Sequence, residues 1–353
     1  MRASRLTTVV GGGRDFIIGL ILLYGYVYTA YKYGNPFFGR NDFFRYEAMV
    51  THPFDFSAAP APFVLRQIPA IVASVFYRLG FHGDTAAVID TIGLDDETKR
   101  RFFAMILSNG LAVCLSFTVL AGYLRTKLAT DGLINSFALF GILAAWFYFP
   151  SAVIAPVTIG WGWLASSLLA IAFVEASAAM TILACALAVF SRETTLIFGL
   201  TMFIALLLFE HDRRRGVVVS VIVLAASCLL YLALRIGFTT GYAHQIDPAG
   251  IAGRLASLTF PTHFFTQLIL AQGILILLLV LIATKAARYA VYLAVAAGVM
   301  ALAAVATGVS DVGLLVGETL PFYAVIFILM WNGALPMRRA GKSVIRADTR
   351  RLD

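Results

Sequence analysis

Charge is scarce in this chain. Lys, Arg, Asp and Glu make up 13% of its 353 residues while 60% are hydrophobic, a balance that excludes an ordinary soluble globular domain. Cysteine is almost as rare. Cys114, Cys185 and Cys228 all fall inside apolar runs, which excludes a disulfide framework or a cysteine ligand cluster and leaves them a packing role. No GxxxxGK[ST] loop, GxSxG elbow or HExxH helix occurs, so ATP-driven, serine-hydrolase and zinc-protease chemistry lack their signatures. His244, Asp247 and His263 are too widely spaced for a short metal-binding motif. Participation of a divalent metal is left open. There is also no internal repeat, low-complexity linker or composition break, so residues 1–353 read as one integral membrane domain.

What the chain does have is long apolar runs. Without water in the bilayer core, each must satisfy its own backbone as a helix of about 17 to 25 residues. The fold class is therefore all-α, a polytopic transmembrane helical bundle of about ten spans. The candidate spans are Phe16–Tyr31, Phe102–Leu124, Leu133–Phe149, Gly160–Val174, Ser177–Phe190, Thr194–Phe209, Val217–Ile236, Phe264–Thr284, Tyr289–Thr307 and Gly313–Leu335. The N-terminus has a basic start and an apolar run with no small-residue cleavage site, as in an uncleaved signal anchor.

The stretch Phe63–Phe81 is interrupted by Arg66, Pro69 and Arg78, and charge bias decides how to read it. If it does not span, the short basic loops at Arg125 and Lys127, at 211–215, and at Lys285 and Arg288 share a side with the N-terminal arginines and the basic tail 338–353. It is accordingly an interfacial or re-entrant amphipathic helix, with both termini cytoplasmic. The net charge of +8 then reflects orientation in the membrane and not nucleic-acid binding. Residues 32–101 form one long extracytoplasmic loop, 149–163 a short one and 237–263 a second long one. Trp146, Tyr148, Trp161 and Trp163 flank the short loop and read as an interfacial belt.

Polar chemistry concentrates in these outward segments. The first loop carries Arg40, Asp42, Arg45, Tyr46, Glu47, His52, Asp55 and Arg66. On a helix, Asp42 shares a face with Arg45 and Tyr46, while Glu47 points elsewhere. Arg66 heads the amphipathic helix, at the depth of lipid phosphates. In "FSRETTLIF", Arg192 and Glu193 sit at the outward end of two apolar runs, either as an internal ion pair or as an anion-holding arginine beside a positioning carboxylate. Glu318, in "LLVGETLPFYAV", is expected one turn into the last span and within reach of the outward side. Glu175 is a cytoplasmic turn residue by position.

Three segments carry a resemblance: "RNDFFRY" in the first outward loop, "APFVLRQIPAIVA" after it, and "SRETTLIF" opening a later helix. Together they resemble the GT-C superfamily of polytopic glycosyltransferases, in particular bacterial polyprenyl-phosphate-dependent mannosyl- and arabinosyltransferases. The architecture covers most of the chain and the motifs about 35 residues of it. The resemblance implies a multi-pass enzyme of the bacterial cytoplasmic membrane that moves a sugar from a polyprenyl-phosphate donor to a cell-envelope glycan or lipid. It assigns the general base to Asp42. Glu193 joins it as a catalytic candidate, and Arg40, Arg45, Tyr46, Arg66, Arg192, His263 and Glu318 are candidates for binding substrate. A lipid-linked glycan transporter, or a polysaccharide polymerase or ligase, is the alternative reading.

Overall fold

The computed structural model describes residues 2–33, 40–59, 63–81, 95–128, 132–146, 149–154, 158–209, 214–237, 272–307 and 316–335. Among them every regular element is a helix. In chain order these are α1 (Arg2–Tyr33), α2 (Arg40–Thr51), a 3₁₀ turn (Phe63–Leu65), α3 (Gln67–Arg78), α4 (Asp96–Leu128), α5 (Gly132–Ala144) and α6 (Phe149–Ile154). They continue with α7 (Ile159–Glu175), α8 (Ala178–Val189), α9 (Thr194–Phe209), α10 (Arg214–Gly237), α11 (Gly273–Thr307) and α12 (Leu320–Trp331). Among the described residues three helices are long and apolar enough to cross a membrane: α4, α10 and the stretch Gly273–Ala303 of α11. Several others are apolar but shorter.

The core runs along α7, in which every residue from Ile159 to Val174 is buried. Such a helix is apolar all round because it has neighbours on every side, here α4, α8, α9 and α12. Small residues permit that crowding. A Cβ at Gly160 would run into the Asn109 carbonyl of α4, and one at Gly317 would run into the Trp146 indole. Helices α10 and α11 instead turn large apolar side chains outward, such as Leu229 and Val280.

Charged and polar groups gather at the two ends of this bundle. At one end Asp15 of α1 is wholly buried and pairs with Arg125 of α4. Glu175, at the end of α7, accepts a hydrogen bond from Tyr123 (2.5 Å) and pairs with Lys127 (2.7 Å). There α7 stops in a left-handed cap at Ala176, φ +50°. At the other end lie α2, the start of α3, the α8–α9 turn and the approach to α12.

Four sequence expectations change. The run Leu133–Phe149 is broken, with α5 stopping at Ala144 and the short α6 starting at Phe149. Two helical segments meet where two spans were expected, but without a loop between them: the break within Gly273–Thr307 is a single non-helical residue, Ala286 (φ −141°, ψ 55°), between Lys285 and Arg288. At about 1.5 Å per residue, the segments either side are roughly 20 and 30 Å long. The last helix begins later than expected, since Pro321 sets its first turn, so Glu318 lies in the preceding turn and not inside a span. The tryptophans are not a lipid-facing belt: Trp146, Trp161 and Trp163 are all buried, with the first and last of them 5.5 Å apart between ring centroids. Tyr148, residues 238–263 and the tail 338–353 lie outside the described residues.

Candidate functional site

The site assembles at the helix ends opposite the Asp15–Arg125 pair, and backbone hydrogen bonds at those ends explain why. Helix α8 ends at Phe190, whose carbonyl has no partner within its own helix. It accepts instead from the Ile68 amide at the start of α3, at 3.1 Å. One bond thus satisfies an orphan at each of two helix ends and holds Arg66 beside the α8–α9 turn. Gln67 fixes the turn from the other side, accepting from the Phe54 amide (3.0 Å) and donating to the Val64 carbonyl (2.7 Å).

Two ion pairs then form, and neither joins sequence neighbours. Arg66 donates to both carboxylate oxygens of Glu193, through Nη2 at 2.9 Å and Nε at 3.3 Å. Its Nη1 donates to the Tyr46 hydroxyl of α2 at 2.7 Å. Arg192 turns the other way and grips Glu318 Oε1 through Nε (2.7 Å) and Nη2 (2.6 Å). Thr194 donates to the second Glu318 oxygen at 2.5 Å, and Arg192 Nη1 donates to Thr158 at 3.4 Å. Consecutive residues on a tight turn point apart, so the α8–α9 turn is tied to α3 by one residue and to the head of α12 by the next.

All four charged groups are taken out of solvent. Arg66 and Arg192 are each 7% exposed and Glu318 is fully buried, while the Glu193 side chain keeps 14% of its surface. Burial alone would raise the Glu193 carboxyl, but the charge and hydrogen bonds of Arg66, with Arg192 behind, bring it down to about 2. Such a carboxylate is a weak proton acceptor and a good hydrogen-bond acceptor. Burial likewise works against the charge on both arginines, and their carboxylate partners reverse it, so the guanidiniums stay protonated. Gly162 makes room for the second pair. A Cβ there would lie 3.0 Å from Arg192 Cγ and 3.2 Å from Glu318 Oε2.

Among the residues singled out from sequence, Tyr46, Arg66, Arg192, Glu193 and Glu318 come together here. Arg45 stands close by, its guanidinium 4.6 Å from the Phe63 ring centre, while Arg66 lies 5.4 Å from the same ring. Arg40 and Asp42 belong to the first turn of α2, and their side chains lie outside the described residues, as does His263. Glu47 faces away, pairing with Arg101 at 2.7 Å and accepting from Thr98 at 3.0 Å. His52 and Asp55 stay apart from the cluster. Asp55 is exposed and accepts from Ser57, which holds its carboxyl below the usual value. Sequence reasoning missed Thr158, Thr194 and Gly162, although Thr194 adjoins the arginine–glutamate dipeptide and Gly162 lies in the glycine-rich "IGWGW". It also missed Tyr231 of α10, a buried hydroxyl in an apolar run. Among the described residues, no three His, Cys, Asp or Glu side chains converge as a metal site.

What the geometry defines is a class of site: a buried, charge-paired arginine cluster at one end of a helical bundle with membrane-length apolar helices. No family model, curated protein or solved structure matches the chain.

Proposed function

We propose that the chain is a membrane glycosyltransferase that moves a sugar from a polyprenyl-phosphate donor to a cell-envelope glycan or lipid on the extracytoplasmic face. The observation that supports this most is the bond between Tyr46 and Arg66. It holds α2 against a cluster of buried arginines, and Asp42 stands one helical turn before Tyr46 on that helix. A carboxylate and two guanidiniums at one end of the bundle are the parts the reaction needs.

In this reading Asp42 takes the proton of the acceptor hydroxyl as its oxygen attacks the anomeric carbon from the face opposite the phosphate. The carbon–oxygen bond to the phosphate breaks, the configuration inverts, and polyprenyl phosphate departs. Arg66 and Arg192 stabilise the charge on the leaving phosphate. Arg66 spends three of its five N–H donors on Glu193 and Tyr46, which leaves donors for a phosphate oxygen. Glu193 positions the acceptor hydroxyl, and Glu318 holds Arg192. Arg40, Arg45 and His263 complete the binding set. The basic loops and tail face the cytoplasm of a bacterial inner membrane crossed about ten times, with both termini inside.

The test is turnover of short-chain polyprenyl-phosphate sugars by the purified protein in detergent, wild type beside Asp42→Asn. Release of polyprenyl phosphate in the presence of an acceptor, lost in a variant of unchanged melting temperature, supports both the transferase and its base. A wild type that consumes none of a broad donor panel while binding a lipid-linked glycan overturns the reading in favour of a transporter or polymerase.

A further inference from the structure

One hydroxyl at the cluster has no partner. Tyr231 on α10 is 9% exposed, and its oxygen is buried without a hydrogen bond. Helix α10 packs on α8 and α9, whose connecting turn carries Glu193. The Tyr231 hydroxyl stands next to the Glu193 carboxylate and in the field of Arg66 and Arg235, yet it makes no hydrogen bond of ordinary geometry to any of them. Burying a hydroxyl with nothing to bond is unfavourable, and a phenylalanine of the same shape would avoid the penalty. Stability therefore gives no reason for the oxygen. A ligand does.

The surrounding charge says which kind. The charges acting on the hydroxyl are the guanidiniums of Arg66 and Arg235 and the carboxylate of Glu193, and Arg66 keeps donors beyond those it gives to Glu193 and Tyr46, a setting that suits an oxyanion. Helix α10 also turns Leu229, Leu230 and Ile236 outward, an apolar flank along which a hydrocarbon tail can lie with its headgroup at the level of Tyr231. We propose that Tyr231 is a ligand-contacting residue whose hydroxyl donates to a phosphate oxygen of a membrane-borne phosphate beside the unspent donors of Arg66. This rests on the phosphate-donor reading above and adds to it a specific residue on α10.

The experiment measures binding of short-chain polyprenyl phosphate, of inorganic phosphate and of the uncharged polyprenol to full-length protein in detergent, wild type against Tyr231→Phe, with thermal unfolding of both. The variant is expected to melt at or above the wild-type temperature and to bind polyprenyl phosphate at least about tenfold more weakly, a loss typical of a hydrogen bond to a charged group. Polyprenol binding should not change. An equal fold loss for inorganic phosphate supports the contact and makes the headgroup sufficient. Binding of the lipid-borne phosphate alone supports it and makes the tail part of the ligand. A variant that binds like wild type, or one that melts several degrees lower, overturns the contact and leaves the transferase reading standing. A wild type that binds no phosphate probe overturns both.

Discussion

Removing the carboxylate of Glu318 tests the energetics of the cluster most directly. The side chain is fully buried, accepts one N–H bond from Arg192 Nε with Nη2 also in ion-pair contact, and accepts one O–H bond from Thr194. Glu318→Ala leaves a 7%-exposed guanidinium with only the long 3.4 Å contact to Thr158. Breaking one side of a buried pair is destabilising by about 3–5 kcal/mol, since the remaining charge stays desolvated without its counter-ion. At roughly 2 °C per kcal/mol for a chain of this size, the melting temperature should fall by about 6–10 °C. The double variant Arg192→Met with Glu318→Leu removes both charges and should stay within about 2 kcal/mol of wild type. Tryptophan fluorescence in mixed micelles is a suitable readout, because the Trp146 indole lies against Gly317, next in sequence to Glu318. A single variant within about 0.5 kcal/mol of wild type, or a double variant whose loss equals the sum of the two single losses, would refute the argument.

Glu193→Gln should flatten the acid limb of stability. The Glu193 carboxyl sits at about 2 against an ordinary 4.5, so its contribution is fully present above about pH 5 and is lost as pH falls through about 2, on the order of 3 kcal/mol in total. Unfolding measured from pH 7 to pH 2 checks this, and parallel curves for wild type and variant would count against it. Gly162→Ala should destabilise by about 1–3 kcal/mol, through the approach of its Cβ to Arg192 and Glu318. Gly160→Ala should do worse in the same assay, because there the obstacle is the Asn109 backbone. For orientation, an impermeant maleimide applied to intact cells should label a cysteine at exposed Ser57 and reach one at exposed Thr126 only after permeabilisation. The reverse pattern would invert the membrane orientation and remove Asp42 from the outward face.

Hydrophobic runs made the helices legible, because a membrane-length apolar segment has only one way to satisfy its backbone. Helix α9 occupies the same Thr194–Phe209 run that the sequence marks out. The charged residues of the site were legible for a related reason: Arg66, Arg192, Glu193 and Glu318 stand out against apolar surroundings where charge is expensive. Their partners were not. Arg192 adjoins Glu193 in sequence but pairs with Glu318, a choice set by how α7, α9 and α12 meet and not by local spacing. The break at Ala286 has no proline or glycine at 280–292 to announce it, and only the charge of Lys285 and Arg288 marked its place. The tryptophans misled because an aromatic beside a polar loop suits an interfacial belt and a tight core equally, and only the close approach allowed by Gly160 and Gly317 separates the two. Tyr231 gave no signal beyond an oxygen in an apolar run.

The paired charges also bear on why the cluster exists. A buried salt bridge is weak evidence for stability, since apolar side chains of similar volume commonly hold a fold as well or better. The chain nonetheless buries four charges at one end of a bundle whose other interior contacts are mostly apolar, and it crosses the two pairs so that one turn is tied to both α3 and α12. If packing were the purpose, the Arg192→Met, Glu318→Leu double variant would lose nothing that matters. If the guanidinium is there for an anion, the same variant stays folded and loses turnover and phosphate affinity. The arrangement argues for the second outcome. Both arginines keep N–H donors beyond those their carboxylates occupy, and the neighbouring Tyr231 hydroxyl remains unbonded, which packing alone does not require.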